Sequence, residues 1–134
     1  MSELDPGVGW LDALKWDESG MIPAIAQEVR SGRVVMFAWM NRESLQKTLA
    51  CGNAVYWSRT RQRLWKKGEE SGHFQKIISI RADCDGDVLL LSIEQEGGIA
   101  CHTGRESCFF FELRDERWVP ADPVLKDPKE IYAK

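Results

Sequence analysis

The segment Asp83-Cys84-Asp85-Gly86-Asp87 sets three carboxylates within five residues, a concentration of like charge that is costly unless water or a cation offsets it. Hard divalent cations take oxygen ligands of this kind. Two other readings compete: a solvated turn between strands, and an EF-hand loop. The second fails on spacing, because an EF-hand needs glycine at its sixth position and the sixth residue from Asp83 is Val88, which opens an apolar run. Cys84 also belongs to a second set. Cys101 follows it after sixteen intervening residues and Cys108 after six more. There is no C-x-x-C pair, so a closed zinc ribbon or finger is not indicated. Three thiolates would instead fill three positions of a tetrahedral zinc and leave the fourth to water, the arrangement of a catalytic site. A cysteine taken singly is commonly a small buried hydrophobe, and Cys51 is read that way. The other three stand beside polar or turn-forming neighbours: Cys84 between two aspartates, Cys101 before His102-Thr103-Gly104.

The chain has two histidines, His73 and His102. A site of three thiolates is net negative and acidifies its water less than three imidazoles would, so a nearby base would help. His102 is the first candidate for that base, as a zinc ligand, proton shuttle or plain turn residue. His73, which ends a basic stretch beside Gly72, is the second, and its simpler reading is an exposed loop residue. That stretch carries Arg59, Arg61, Arg63, Lys66 and Lys67 around Trp65, with Trp57 just ahead. Guanidinium groups bind phosphate bidentately and an indole stacks on a purine, so this loop suits a nucleotide. A solvated basic loop or an RNA patch is the competing reading.

These residues need a scaffold. Ile22 to Glu28 and Val34 to Met40 read as two strands of a hairpin turning at Ser31-Gly32. Asn41 is placed to cap a short helix from Arg42, with Leu45, Leu49 and Ala50 on one face and Gly52 as its left-handed stop. Ala54 to Trp57 is the next strand, and SRTRQRLWKKGEESGH reads mainly as a long loop. Phe74 to Ala82 and the apolar run Val88 to Ile93 are further strands, and Cys108 to Leu113 is the last, after a turn at His102 to Glu106. Many strands with one clear short helix favour an α+β fold over alternating α/β.

With 134 residues, 43% hydrophobic and 29% charged, the chain has the profile of one globular domain spanning 1–134, with 1–9 and 120–134 peripheral or frayed. No apolar run approaches the ~20 residues of a membrane span, and MSELDPGVGW lacks the basic and apolar regions of a secretory signal. A cytoplasmic protein is expected, whose cysteines are then ligands or core residues rather than disulfides. The net charge of -3 argues against a nucleic-acid partner.

Five ordered blocks narrow the function: Tyr56-Trp57-Ser58-Arg59-Thr60-Arg61, Leu64-Trp65-Lys66-Lys67-Gly68-Glu69 with Ser71-Gly72, Asp83-Cys84-Asp85-Gly86-Asp87, Ala100-Cys101-His102-Thr103-Gly104, and Ser107-Cys108-Phe109-Phe110. Together they resemble the phosphoribosyl-AMP cyclohydrolases of histidine biosynthesis, from about Ile22 to Leu113. Thr60 departs from the serine more usual there but keeps a hydroxyl. The resemblance implies an intertwined cytoplasmic homodimer that opens the adenine ring of phosphoribosyl-AMP by hydrolysis. It implies one zinc per subunit, held by Cys101 and Cys108 with Cys84 of the partner subunit, and magnesium on Asp83, Asp85 and Asp87. Trp57, Arg59, Arg61, Trp65 and Lys67 would bind the substrate. Because side chains alternate along an extended D-C-D stretch, Cys84 can serve one metal and its aspartates another. The pyrophosphohydrolase domain fused to some members is not expected here. A zinc-dependent base deaminase is disfavoured, since neither H-x-E nor P-C-x-x-C occurs. The remaining alternative is a metal-stapled dimeric module that binds nucleotide or RNA without catalysis.

Overall fold

The computed structural model describes residue 7 and residues 9–132. Strands β1 (Met21–Glu28) and β2 (Val34–Asn41) pair antiparallel from Met21↔Asn41 to Ala26↔Met36, with a bulge between Ala26 and Gln27. Ile22, Ala24 and Ala26 face inward with Met36, Ala38 and Met40, and all six are buried. The connecting turn is fastened by Glu28, whose carboxylate accepts the backbone N–H groups of Arg30 at 2.7 Å and Ser31 at 3.3 Å.

Helix α1 (Arg42–Cys51) begins where the sequence predicts. Asn41 and Ser44 form a reciprocal capping box, and Gly52 at φ 78° closes the C-terminal end. Its buried face differs from the expected one: Ser44, Leu45 and Thr48 point inward, whereas Leu49 is 54% exposed and Ala50 is also exposed. Polar ties decide this. The Thr48 hydroxyl donates to the Ser44 carbonyl at 2.8 Å and accepts the Val55 N–H at 2.9 Å, binding the helix to the next strand through a face that apolar periodicity does not reveal.

That strand, β3 (Val55–Ser58), pairs with β4 (Arg63–Lys66) from Val55↔Lys66 to Ser58↔Arg63. The stretch read as one long loop therefore contains a strand. Only Leu64 and Trp65 give it an apolar signal amid cations, and Trp65 becomes strand-like by packing on Tyr56, ring centroids 5.6 Å apart. Strands β5 (Gln75–Ala82) and β6 (Leu89–Gln95) are antiparallel to each other, and β6 runs parallel to β1. The sheet order is β4-β3-β2-β1-β6-β5. Its two margins curl toward each other: Asn53 bridges Lys76, and the Ala54 N–H donates to the Gln75 carbonyl at 2.9 Å. The enclosed core contains Ile22, Met40, Leu45, Tyr56, Leu91 and Ile93. Within it the Tyr56 hydroxyl donates to Gln75 Oε1 at 2.6 Å, and Gln75 Nε2 donates to Gln95 Oε1 at 2.9 Å.

A single 3-10 turn at Glu96–Gly98 follows β6, and the chain is then irregular until a separate hairpin, β7 (Phe111–Arg114) with β8 (Arg117–Pro120), and a short helix, α2 (Pro128–Ile131). The expected strand from Cys108 starts only at Phe111. The Cys108 N–H is taken by the Val35 carbonyl at 2.7 Å and the Ser107 hydroxyl donates to the Val34 carbonyl at 2.9 Å, so this stretch is stapled to the start of β2. The outcome is a single small, strand-rich α+β domain with one main helix. No helix among the described residues is long and apolar enough to cross a membrane.

Candidate active site

The loop after β6 folds back on itself: the Ala100 N–H donates to the Glu106 carbonyl and the Cys101 N–H to the Arg105 carbonyl, both at 3.1 Å. This brings the thiols of Cys101 and Cys108 close enough to interact. Cys101 is buried; Cys108 is exposed as a residue, yet its thiol is desolvated. Burial, reinforced by the neighbouring sulfur, pushes the Cys108 thiol up to about 12. The Cys108 thiol therefore stays protonated at neutral pH unless a cation draws the proton off, as a coordinated metal does. The fit to a soft dication is therefore chemical as well as spatial. Thr103 Oγ1 donates to Cys101 Sγ at 3.0 Å.

Lys67, placed at the exit of β4, is buried and its ammonium donates to the Ala100 carbonyl. Burial lowers its pKa, while Cys108 and Cys101 pull it back up. Its Nζ also sits 5.5 Å from the centroid of Trp65. Around this point opens a cavity of about 380 Å³ lined by Ser58, Arg61, Arg63, Trp65, Lys67 and His102. Tyr132, which follows α2, lines it too. Burial raises the Tyr132 phenol, with the charges of Glu70, Cys101 and Cys108 adding to the shift. The cavity thus joins cations, an indole and an imidazole directly after a thiol.

A second cavity of about 660 Å³ shares Ser58 with the first and takes in Trp39, Trp57 and Arg59. The Arg59 guanidinium lies 4.6 Å from the Trp39 ring centroid. Trp57 Nε1 is buried without a hydrogen-bond partner among the described residues, an arrangement that costs roughly 1–3 kcal/mol. The five basic and aromatic residues read from the sequence are hence divided: Arg61, Trp65 and Lys67 meet His102, while Trp57 and Arg59 open on the adjoining cavity.

His73 is not among the residues lining the cavity of His102. It is half-buried, its carbonyl accepts from Gln95 Nε2 at 3.0 Å, and its imidazole rests against Gly97. Burial lowers its pKa, and the cations of Lys126 and Lys67 push the same way.

Asp83, Asp85 and Asp87 converge in the β5–β6 turn, with their carboxylate oxygens all within 4.8 Å of one another. Asp83 accepts the backbone N–H groups of Asp87 at 2.9 Å and Val88 at 3.3 Å. The Asp87 backbone bond leads in holding the Asp83 carboxyl below its usual range, and a hydrogen bond with Asp83 raises Asp87. An all-oxygen set of this kind matches a hard cation. It is the sole such three-ligand cluster among the described residues, so Cys84, Cys101 and Cys108 do not converge within one chain. Cys84 is exposed in the turn that leads into β6, and Cys101 lies six residues beyond the other end of that strand. Seven strand residues at about 3.3 Å each put about 20 Å between those ends.

Ser58 and Tyr132 line the cavity without a local sequence signal of their own. Ser58 lies inside a recognisable block, but nothing local marks Tyr132, which lies in the segment 120–134.

Fold and pocket together define the class: a small α+β domain with a cationic, aromatic cavity beside a thiol pair. The profile of the family described as phosphoribosyl-AMP cyclohydrolase matches residues 36–110. A phosphoribosyl-AMP cyclohydrolase of Dechloromonas aromatica (strain RCB) is 77% identical over 132 residues, covering 98% of this chain and 99% of its own. Those of Azoarcus sp. (strain BH72) and Nitrosomonas europaea are 63% and 61% identical, over 92% and 93% of this chain and 95% and 97% of theirs. The chain belongs to the phosphoribosyl-AMP cyclohydrolase family. It is accordingly a hydrolase of a cyclic amidine bond.

Proposed function

We propose that this chain hydrolyses the N1–C6 bond of the adenine ring of phosphoribosyl-AMP, giving the formimino aminoimidazole carboxamide ribotide of histidine biosynthesis, as a cytoplasmic homodimer. The observation that carries the reading is the cavity that joins Arg61, Arg63, Trp65 and Lys67 to His102, next in sequence to the paired thiol of Cys101. Arg61 and Arg63 hold phosphate as guanidinium forks, and Trp65 offers a face to the purine. Since Ser58 borders both cavities, a substrate with two phosphoribosyl arms can extend from one into the other, which Arg59 and the Trp57 side chain line.

Substitution at N1 leaves C6 electron-poor, so the substrate assists its own hydrolysis. In the reaction, a water oxygen bonds to C6, the N1–C6 bond breaks, C6 becomes the carboxamide carbon and N1 stays on the formimino carbon. The His102 imidazole accepts a proton from the water and returns one to N1. Cys101 and Cys108, with Cys84 of the partner subunit, would hold zinc, and Asp83, Asp85 and Asp87 would hold magnesium. Zinc, when bound, supplies Lewis acidity at the attacking water. A shared zinc site is supported by the separation of Cys84 from the thiol pair. The exposed apolar side chains of β7 and β8, with Phe111 and Leu113 each 56% and Trp118 69% accessible, leave a surface that a second subunit would cover.

The test is to add zinc-loaded protein to phosphoribosyl-AMP and follow the ultraviolet spectrum, beside a chelator-stripped sample. A metal-dependent change from purine to aminoimidazole carboxamide, without ammonia, is expected. Folded, zinc-loaded protein that leaves the spectrum unchanged would point to a nucleotide- or RNA-binding module instead.

A further inference from the structure

The family profile ends at residue 110, yet the chain beyond it returns to the site. After β8 it crosses the thiol-bearing loop and is tied down on the way. One arm of the Arg33 guanidinium binds the Asp122 carboxylate while the other binds Glu106 at 2.6 Å. Arg105 Nε donates to the Asp122 carbonyl at 3.0 Å, and the Leu125 N–H donates to the Gly104 carbonyl at 2.8 Å. The crossing requires glycine: at Gly104 φ is +87°, and a Cβ there would fall 1.9 Å from the Lys126 carbonyl oxygen. Helix α2 follows, with Asp127 accepting the Lys129 N–H at 2.9 Å and Ile131 buried. The next residue, Tyr132, lines the cavity of Arg61, Trp65 and His102 while remaining 42% exposed.

We propose that residues 121–132 form a strap completing the active site, and that Tyr132 at its end lays its ring against the bound nucleotide and sets substrate affinity. The inference rests on the reading of this cavity as the substrate site. The cavity's cations Arg61, Arg63 and Lys67 address phosphate, Glu70 lines it as well, and Trp65 supplies one aromatic face; Tyr132 supplies a second, on a segment placed there by the Arg33–Asp122 and Gly104–Leu125 ties rather than by the sheet. A residue presented this way acts on binding more than on bond breaking, which separates its effect from that of His102.

In the zinc-loaded full chain, Tyr132→Ala should raise KM for phosphoribosyl-AMP roughly tenfold, the worth of one ring stacked on a base, with kcat changed by less than about twofold. Tyr132→Phe should keep the wild-type KM. Asp122→Asn, which weakens the Arg33 tie without altering a cavity side chain, should raise KM in the same direction. Wild-type KM in both Tyr132→Ala and Asp122→Asn would overturn the strap, and Tyr132→Phe behaving as Tyr132→Ala would overturn the role given to the ring. If the wild-type protein does not turn over phosphoribosyl-AMP, the functional reading falls instead. The strap is then judged by AMP binding through tryptophan fluorescence, where weaker binding in Tyr132→Ala supports it and unchanged binding overturns it.

Discussion

Cys84 and Cys101 stand at opposite ends of β6, the first in the turn that leads into Leu89 and the second six residues beyond Gln95. A zinc site that uses both must be built from two chains. Mixing Cys84→Ser protein with Cys101→Ser protein, each inactive alone, should restore activity on subunit exchange, because each mixed dimer contains one intact site. Random exchange predicts about a quarter of the wild-type sites. Activity that stays absent while exchange is demonstrated by mass labelling would mean that each site lies within one chain.

His102 lines the cavity and Cys101 precedes it, so its removal should spare the metal and impair the proton transfer. We expect His102→Ala to retain zinc by metal analysis and to lose roughly 10²–10⁴ in kcat, the range of a general base. The pH–rate curve should lose its acidic limb. An unchanged curve would take the role away from His102.

At Gly97 the imidazole of His73 comes so close that an added Cβ would lie 2.6 Å from Cδ2 and 2.8 Å from Nε2, and φ there is +74°. Gly97→Ala should cost on the order of 1–2 kcal/mol of stability and dislodge the ring. Burial is the first cause of the lowered His73 pKa, so that pKa should rise toward its ordinary value in the variant. With two histidines in the chain, nitrogen NMR of the imidazoles resolves the change, and the His102 signal serves as control. A His73 titration identical in both proteins would show that Gly97 does not seat the ring.

Glu28 supplies a pH dependence of folding. Partial burial opposes its ionisation, but hydrogen bonds from the backbone of Gln95, Arg30 and Ser31, with the charge of Arg30, outweigh it and lower the pKa below 4.5. The folded state therefore binds this proton less readily than the unfolded state. Its contribution is present above the unfolded pKa and disappears as pH falls through the folded one. Glu28→Gln should destabilise at pH 7 by about 1 kcal/mol, with the gap to wild type closing toward pH 3 in urea titrations. A gap independent of pH would assign the effect to packing rather than charge.

Much of the frame can be read directly from the sequence because local rules govern it. Asn41 and Gly52 bracket the helix through capping and left-handed geometry, and the β1–β2 hairpin follows from alternation around a glycine turn. The chemistry-bearing blocks are likewise legible, since Asp83, Asp85 and Asp87 converge within a single turn. Contacts between elements, rather than within them, decided the rest. β4 exists because Trp65 finds Tyr56, and the inward helix face is chosen by Thr48 reaching Val55. The division of Arg61 from Arg59 between two cavities depends on how the β3–β4 hairpin folds, and Tyr132 reaches the site through ties at Arg33 and Gly104. Local capping and periodicity are properties of a few neighbouring residues, whereas the walls of a cavity are set by which distant surfaces bury one another.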